Sequence, residues 1–597
     1  MKKLFILMFL VLFSGEAFSD AIVSNRLKQR MSSMNPFEYT RTLVLMKDVV
    51  DIYAIDQQLY AQNVNLLDRQ KIVITTLQNK ANSTQGPIIA YLEEQKKLGK
   101  VREYIAFWIT NMFYIDATNE VLNALSRRTE ISFMDYDELS FNDKPMSDTY
   151  EISNTPTESI ENGLRAIKAD SLWRMGYTGA GRTVMNIDGG VDGNHIALGS
   201  RWWGNNGRPW YHAWFDPISP FSQFPFDCGS HGTHTIGIMT GRGPSDTVGV
   251  AIDARWMAAG VTDCPGASYP SMNIASFQWA MNPDSNIATM DYPDAISCSW
   301  QDPNAGNQCD VNNIYNLTLS AVEAVGIGVC FSAGNSGPNA STITPPKNMN
   351  IDSVHIFAVG AVDGNINGWP IASFSSRGPS TCGGTGTLAI KPEVVAPGNN
   401  VRSTIPNNNY GNNSGTSMAS PHVGGSIALL KQVAPNLTGK QIKAILFSTA
   451  TDLGTAGEDN TYGRGMIDLM AAFRRIANYP LNSFNVQTPA AGTMLTSVPG
   501  GSTVFNIGWD TSATGAYYKF IFGSPNATNR QIVIQTTSNS LNITSGQLDV
   551  LLSGLGVMQG GQLVGQWDVW AFRNASTDSI KATNGPRAIT LRRGTVN

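Results

Sequence analysis

The chain has 597 residues, enough for several domains, and only 15% of them are charged. A formal net charge of -4 leaves no basic footprint for a nucleic acid, and the wealth of Gly, Asn, Ser and Thr suits a polar, uncharged exported surface. No apolar run reaches the ~18 residues needed to span a bilayer. At the start, Lys2 and Lys3 precede the apolar run Leu4–Phe13, and Ala17-Phe18-Ser19 offers a cleavage site before Asp20, so 1–19 reads as a signal peptide. Thr42–Met46 then reads as a strand, and a long helical region runs from about Asp56 to Lys97, broken near Ser83–Pro87. Two short strands flank Thr110-Asn111 between Tyr104 and Ile115, Asn119–Arg127 reads as a helix capped by Thr118, and a last strand lies near Ile131–Met134. The order is β-α-β-β-α-β. A polar, proline-containing stretch, Phe141–Glu158, follows and has the character of an easily nicked linker.

The middle of the chain carries the chemistry. Thr183–Asp188 is an apolar strand ending in an aspartate before the turn Gly189-Gly190, and strand ends of a parallel sheet are where ligands collect. Gly229-Ser230-His231-Gly232-Thr233-His234 opens a helix of small residues with a histidine. Ile327–Ser332 is a buried-type strand with the amide of Asn335 beyond its tip. Gly415-Thr416-Ser417-Met418 bends sharply into a helix whose Val423, Ile427, Leu430 and Ala434 recur at helical spacing up to Pro435. Ser417 thus sits at a helix N-terminus, where free N–H groups favour developing negative charge. A bare serine is a poor nucleophile, so it needs a base, an orienting carboxylate and an oxyanion donor; His231, Asp188 and Asn335 are the candidates. Two histidines three apart, His231 and His234, lack a third ligand for zinc, and His234 reads as structural. Asp192 lies beyond the glycine turn and reads as a solvated or capping residue.

The order Asp188, His231, Asn335, Ser417 resembles that of subtilisin-like serine proteases, over about Ile160 to Ile476. The segments Arg201–Gly204, Trp214–Pro217 and Phe374–Pro379 are most similar to the bacillopeptidase F-like branch. The resemblance implies an α/β fold, a parallel sheet flanked by helices, and a secreted endopeptidase working through an acyl-enzyme without a catalytic cofactor or metal. Ser417 is expected to attack the scissile carbonyl, His231 to carry its proton, and Asp188 to orient His231. Asn335 and the Ser417 N–H are expected to form the oxyanion hole. The cleft is expected at Ser299, Trp300, Gln301, Ser332, Ala333 and Gly334. The partners implied are a protein or peptide substrate and the chain's own N-terminal segment, which resembles a ferredoxin-like inhibitory propeptide cut away near Tyr150. The domains read as signal 1–19, propeptide and linker 20–150, catalytic domain 151–478 and C-terminal module 479–597.

Two positions depart from the family pattern. Gly189 stands where Ser or Thr usually supports the aspartate, and Gln301 replaces a glycine at the mouth of the pocket for the residue before the cut bond. The rival reading is therefore a catalytically impaired, subtilisin-like binding protein acting through its cleft or C-terminal module. All six cysteines fall inside the protease region, and an even count in an exported chain favours disulfides. Fold analogy pairs Cys228 with Cys264; Cys309 with Cys382 is the second expectation, and Cys298 and Cys330 read as buried thiols. Between Asp188 and His231, aromatic residues such as Trp202, Trp214 and Phe221 are expected to pack an inserted loop. The acidic loop Asn282–Asp294 is a candidate for structural calcium. After Ile476, Phe505/Ile507/Trp509, Tyr518/Phe520/Phe522 and Trp567/Val569/Ala571 alternate at strand spacing, the pattern of an immunoglobulin- or fibronectin III-like β-sandwich.

Overall fold

Seven strands from the middle of the chain form one parallel sheet, in the spatial order Val394–Pro397, Phe357–Val362, Gly328–Ser332, Ala295–Cys298, Thr183–Asp188, Arg255–Gly260 and Trp214–Phe215. The computed structural model describes residues 21–142, 151–153, 160–205, 207–218, 222–244, 246–262, 267–306, 309–477, 481–513, 516–523, 531–536, 538–572 and 579–595. The expected signal peptide, the Tyr150 cut, Cys264 and Phe221 lie outside these residues. The central strands are buried along their whole length, which explains their unbroken apolar runs: helices cover both faces of a parallel sheet.

The chain separates into two compact units, one comprising residues up to Val49 with Lys80–Asp137, the other Val50–Asn79 with Glu138 onward. In the first, Tyr39–Met46, Val101–Phe107, Met112–Thr118 and Ile131–Tyr136 form the expected sheet, joined at its edge by Ile22–Val23 running parallel to Ile131–Tyr136. The helical region is three helices rather than one broken helix: Ile52–Ala61, Leu66–Thr84 and Gly86–Lys97. Asp51 caps the first of these through Ala54 N. Ile52–Ala61 and most of Leu66–Thr84 fold with the second unit, because buried Arg69 donates from Nε to Ala324 O at 2.9 Å and Gln70 Nε2 donates to Met281 O at 3.2 Å. Ala324 lies in the last turn of the helix Ile314–Val325, where a cation meets the negative end of the dipole.

Within the second unit, the Asp188–His231 connection packs its aromatic load as expected in part: Trp202 and Trp214 are buried, whereas Tyr211, Phe224 and Phe226 are exposed. At the C-terminus the three alternating segments all become strands, Val504–Trp509, Tyr517–Gly523 and Gln562–Phe572, in two sheets around one core. Pairing is antiparallel except for Thr493–Ser497, which runs parallel to Arg587–Arg593. The module also holds a helix, Ser545–Gly554, signalled in sequence by the Thr544 and Gln547 capping box.

Candidate active site

The sheet order reverses at the aspartate strand: from Thr183–Asp188 the chain adds Trp214–Phe215 and Arg255–Gly260 on one side, then Ala295–Cys298 on the other. Such a reversal opens a crevice at the carboxyl ends of the strands, and Asp188 stands there. Its Oδ1 and Oδ2 lie 2.8 and 2.9 Å from His231 Nδ1, and the carboxylate is 2% exposed. His231 opens the helix His231–Thr240, which is held to the aspartate strand by Asn186 Nδ2 donating at 3.0 Å to both Gly232 O and Thr235 Oγ1. Only glycine fits at 232, since a Cβ there would lie 2.0 Å from Gly190 O. Asp188 accepts from Gly189 N at 2.7 Å, and Thr262 Oγ1 already lies 3.0 Å from where a Gly189 Cβ would be. The hydroxyl that the family usually supplies at 189 is thus absent, and the Thr262 hydroxyl borders the space a side chain there would enter.

Asp227 is a residue that the sequence reading missed. Its Oδ2 accepts from Thr233 N at 2.8 Å and Thr233 Oγ1 at 2.6 Å, and its Oδ1 from Gly229 N at 2.9 Å, so it shapes the turn that delivers His231. Loss of solvent pushes this carboxyl up to about 6. Its signal was an aspartate shortly before a helix with a threonine in the first turn. His234 lies beneath, with Nε2 donating to Gly411 O at 3.0 Å, and burial holds it neutral at about 3. Asp192 accepts from Asn194 N and Asn407 N, a turn-capping role away from His231.

Ser417 is the second residue of the helix Thr416–Val433 and is fully buried, as is Met418. Before it, Thr416 donates to Asn335 Oδ1 from both its backbone N and its Oγ1, each at 2.9 Å, and accepts from Gly334 N at 3.0 Å. With the carbonyl end of the Asn335 amide committed to Thr416, its NH2 end points away from that residue. Ser297 and Ser420 hydroxyls meet at 3.0 Å and tie the serine helix to the central sheet.

Two backbone stretches flank these residues. Ser299 and Trp300 are buried, and the Trp300 ring meets Phe331 edge-on at 5.3 Å. Ser332 and Ala333 are buried too, and Gly334 turns with φ +104°. Gln301 accepts a hydrogen bond at Oε1 from Thr344 Oγ1, so its side chain is anchored at its tip. Between Ala267–Ser268 and Trp300–Gln301 lies a third strand, Ser140–Asn142, antiparallel to both. Cys309 and Cys382 form a disulfide, Cys228 is disulfide-bonded, and Cys298 and Cys330 are buried thiols. In the acidic loop, Arg208 Nη2 donates to Asp291 Oδ2 at 3.0 Å and Thr289 donates to Asp284 at 2.7 Å, so both carboxylates already have protein partners. Among the described residues, no three His, Cys, Asp or Glu side chains gather as a metal site.

Residues 179–465, which contain every one of these groups from Asp188 to Ser417, match the Subtilase family. The chain is 32% identical to Subtilisin E of Bacillus subtilis (strain 168) over 322 residues, covering 54% of this chain and 73% of that protein. It belongs to the subtilase family of serine proteases. Subtilisin of Bacillus pumilus is 32% identical over 316 residues, 53% of this chain and 99% of its own length. Bacillopeptidase F of Bacillus subtilis (strain 168) is 29% identical over 440 residues, 69% of this chain, and the match spans 29% of that longer protein. The match to bacillopeptidase F thus reaches beyond the subtilase core. No helix among the described residues is long and apolar enough to cross a membrane.

Proposed function

We propose that this subtilase is a secreted serine endopeptidase, made as a zymogen and matured by loss of its N-terminal segment. The observation that carries the catalytic part is the bidentate approach of Asp188 to His231 Nδ1 at the sheet's reversal point. A carboxylate there fixes the imidazole with its proton on Nδ1, leaving Nε2 as the base. Ser417 is the nucleophile; His231 takes its proton as Oγ attacks the carbonyl, then returns it to the departing amine. The Asn335 NH2 and the Ser417 N–H bind the oxyanion, at a helix start where negative charge is favoured. The acyl-enzyme is hydrolysed by the same steps with water as nucleophile. The chain's own groups supply each of these steps, with no cofactor.

Maturation is supported by the strand Ser140–Asn142, which adds to the sheet edges Ala267–Ser268 and Trp300–Gln301 as an extended peptide substrate would. Export is supported by the basic and apolar start of the chain and by the disulfides. The test is labelling by a fluorophosphonate probe. Wild-type protein is expected to label at one serine, and Ser417→Ala to abolish labelling and to keep the N-terminal segment attached. Correctly processed wild-type protein that takes no label sinks the protease reading in favour of a binding protein.

A further inference from the structure

We propose that Lys347 makes this protease selective for an acidic residue, glutamate or aspartate, immediately before the cut bond. The inference rests on the serine-protease reading of the site and names its substrate class. Lys347 ends the turn Thr344–Lys347, closed by its own backbone N–H donating to Thr344 O at 3.1 Å. That turn is fastened to one wall of the cleft twice. Thr344 Oγ1 donates to Gln301 Oε1, and Asp302 N donates to Pro345 O at 3.0 Å.

From this anchor the side chain runs inward, and Lys347 is 0% exposed. Its ammonium reaches the opposite wall: a Cβ built on Gly334 would lie 3.7 Å from Lys347 Nζ. Gly334 is bonded through its N–H to Thr416, the neighbour of Ser417, and precedes Asn335. On the other side the same ammonium acts on the Cys298 thiol, opposing the strong upward push that burial gives it. Cys298 ends the strand that leads into Ser299–Gln301. The cation therefore lies beside the wall that Gly334 forms, on a turn fastened to the wall that Gln301 forms.

A buried point charge in a medium of low dielectric attracts an anion far more than it would in water and repels a cation. Lysine suits a single carboxylate at the end of a flexible stem. The chain's own sequence fits this choice. Phe141 lies opposite Gln301 and Asn142 opposite Trp300 in the antiparallel register. The next residue in the sequence, outside the described ones, is the acidic Asp143.

The experiment uses matured wild-type protein and peptide substrates that differ only before the cut bond, Glu against Gln, Asp against Asn, and Lys. Wild type is expected to favour Glu over Gln by at least roughly tenfold in kcat/KM, with Lys the poorest. Lys347→Met is expected to bring the Glu-to-Gln ratio to within about threefold, and Lys347→Glu to turn the preference toward Lys. A wild-type ratio at or below unity overturns the proposal, as does a Lys347→Met protein that keeps the wild-type ratio. Fluorophosphonate labelling separates the two levels of failure. Unlabelled wild type defeats the protease reading, whereas labelled protein that cuts Gln and Glu peptides alike defeats only the role of Lys347. If Lys347→Met itself does not label, the wild-type ratios decide.

Discussion

Thr416→Val tests whether Thr416 aims Asn335, the proposed oxyanion donor. Valine keeps the shape of the fully buried threonine and leaves its backbone N–H on Asn335 Oδ1, but removes the hydroxyl that donates to the same oxygen at 2.9 Å. It also leaves Gly334 N without the acceptor it now has at 3.0 Å. One hydrogen bond of about 1 kcal/mol changes the population of the productive amide orientation by roughly fivefold. The ceiling is complete loss of the donor, about 3–4 kcal/mol. We expect kcat to fall by about 5- to 100-fold, with KM within about twofold of wild type, because the oxyanion exists only in the transition state. The orphaned N–H is expected to lower stability by about 1–3 kcal/mol. Steady-state kinetics on a chromogenic peptide measure the first effect and chemical unfolding the second. The decisive control is Asn335→Ala: once the amide is gone, adding Thr416→Val is expected to cost no further kcat. An undiminished penalty in the double variant, or a loss confined to KM, refutes the reasoning.

Three further outcomes follow from the geometry. Burial holds His422 neutral at about 4, with Nδ1 donating to Met418 O at 2.8 Å. An unfolded chain takes that proton below about 6.5, so its stability contribution is complete above that pH and is lost as pH falls toward about 4. By pH 5 the loss is about 2 kcal/mol, and His422→Gln is expected to flatten the slope of stability against pH by one proton; an unchanged slope contradicts this. Gly232→Ala pushes a methyl to 2.0 Å from Gly190 O, so the histidine helix is expected to lift from Asp188 and probe labelling to fail; normal labelling would mean the helix has room. Peroxide is expected to convert buried Met418 into a bulkier, polar sulfoxide and to lower turnover, checked by locating the added oxygen by mass; full turnover at stoichiometric oxidation argues against its closeness to the reacting centre.

The candidate site was largely legible because its parts are local. An apolar run that ends in Asp188, a small-residue helix opened by His231 and a glycine bend before Ser417 are each marked within a dozen residues. The four strands of the first unit's core were legible for the same reason, through alternation and turn residues. What escaped depended on distant partners. Asp227 draws its meaning from Thr233 folding back over it, and the segment Val50–Asn79 from Arg69 finding Ala324 O some 250 positions later. The helix Ser545–Gly554 had its capping box in plain view, but no tertiary reason pointed to it.

From the sequence alone came the family and the order of the candidate residues Asp188, His231, Asn335 and Ser417, since these rest on periodicity and turn chemistry that act over a few residues. Tertiary structure alone decided which groups touch and in what dielectric. Nothing in Pro345-Pro346-Lys347 marks that lysine as more than a surface charge; its burial beside Gly334 arises from two strands that the sheet brings together. The physical reason is range: backbone preferences are set by neighbours in the chain, whereas the field and solvent a side chain experiences are set by neighbours in space.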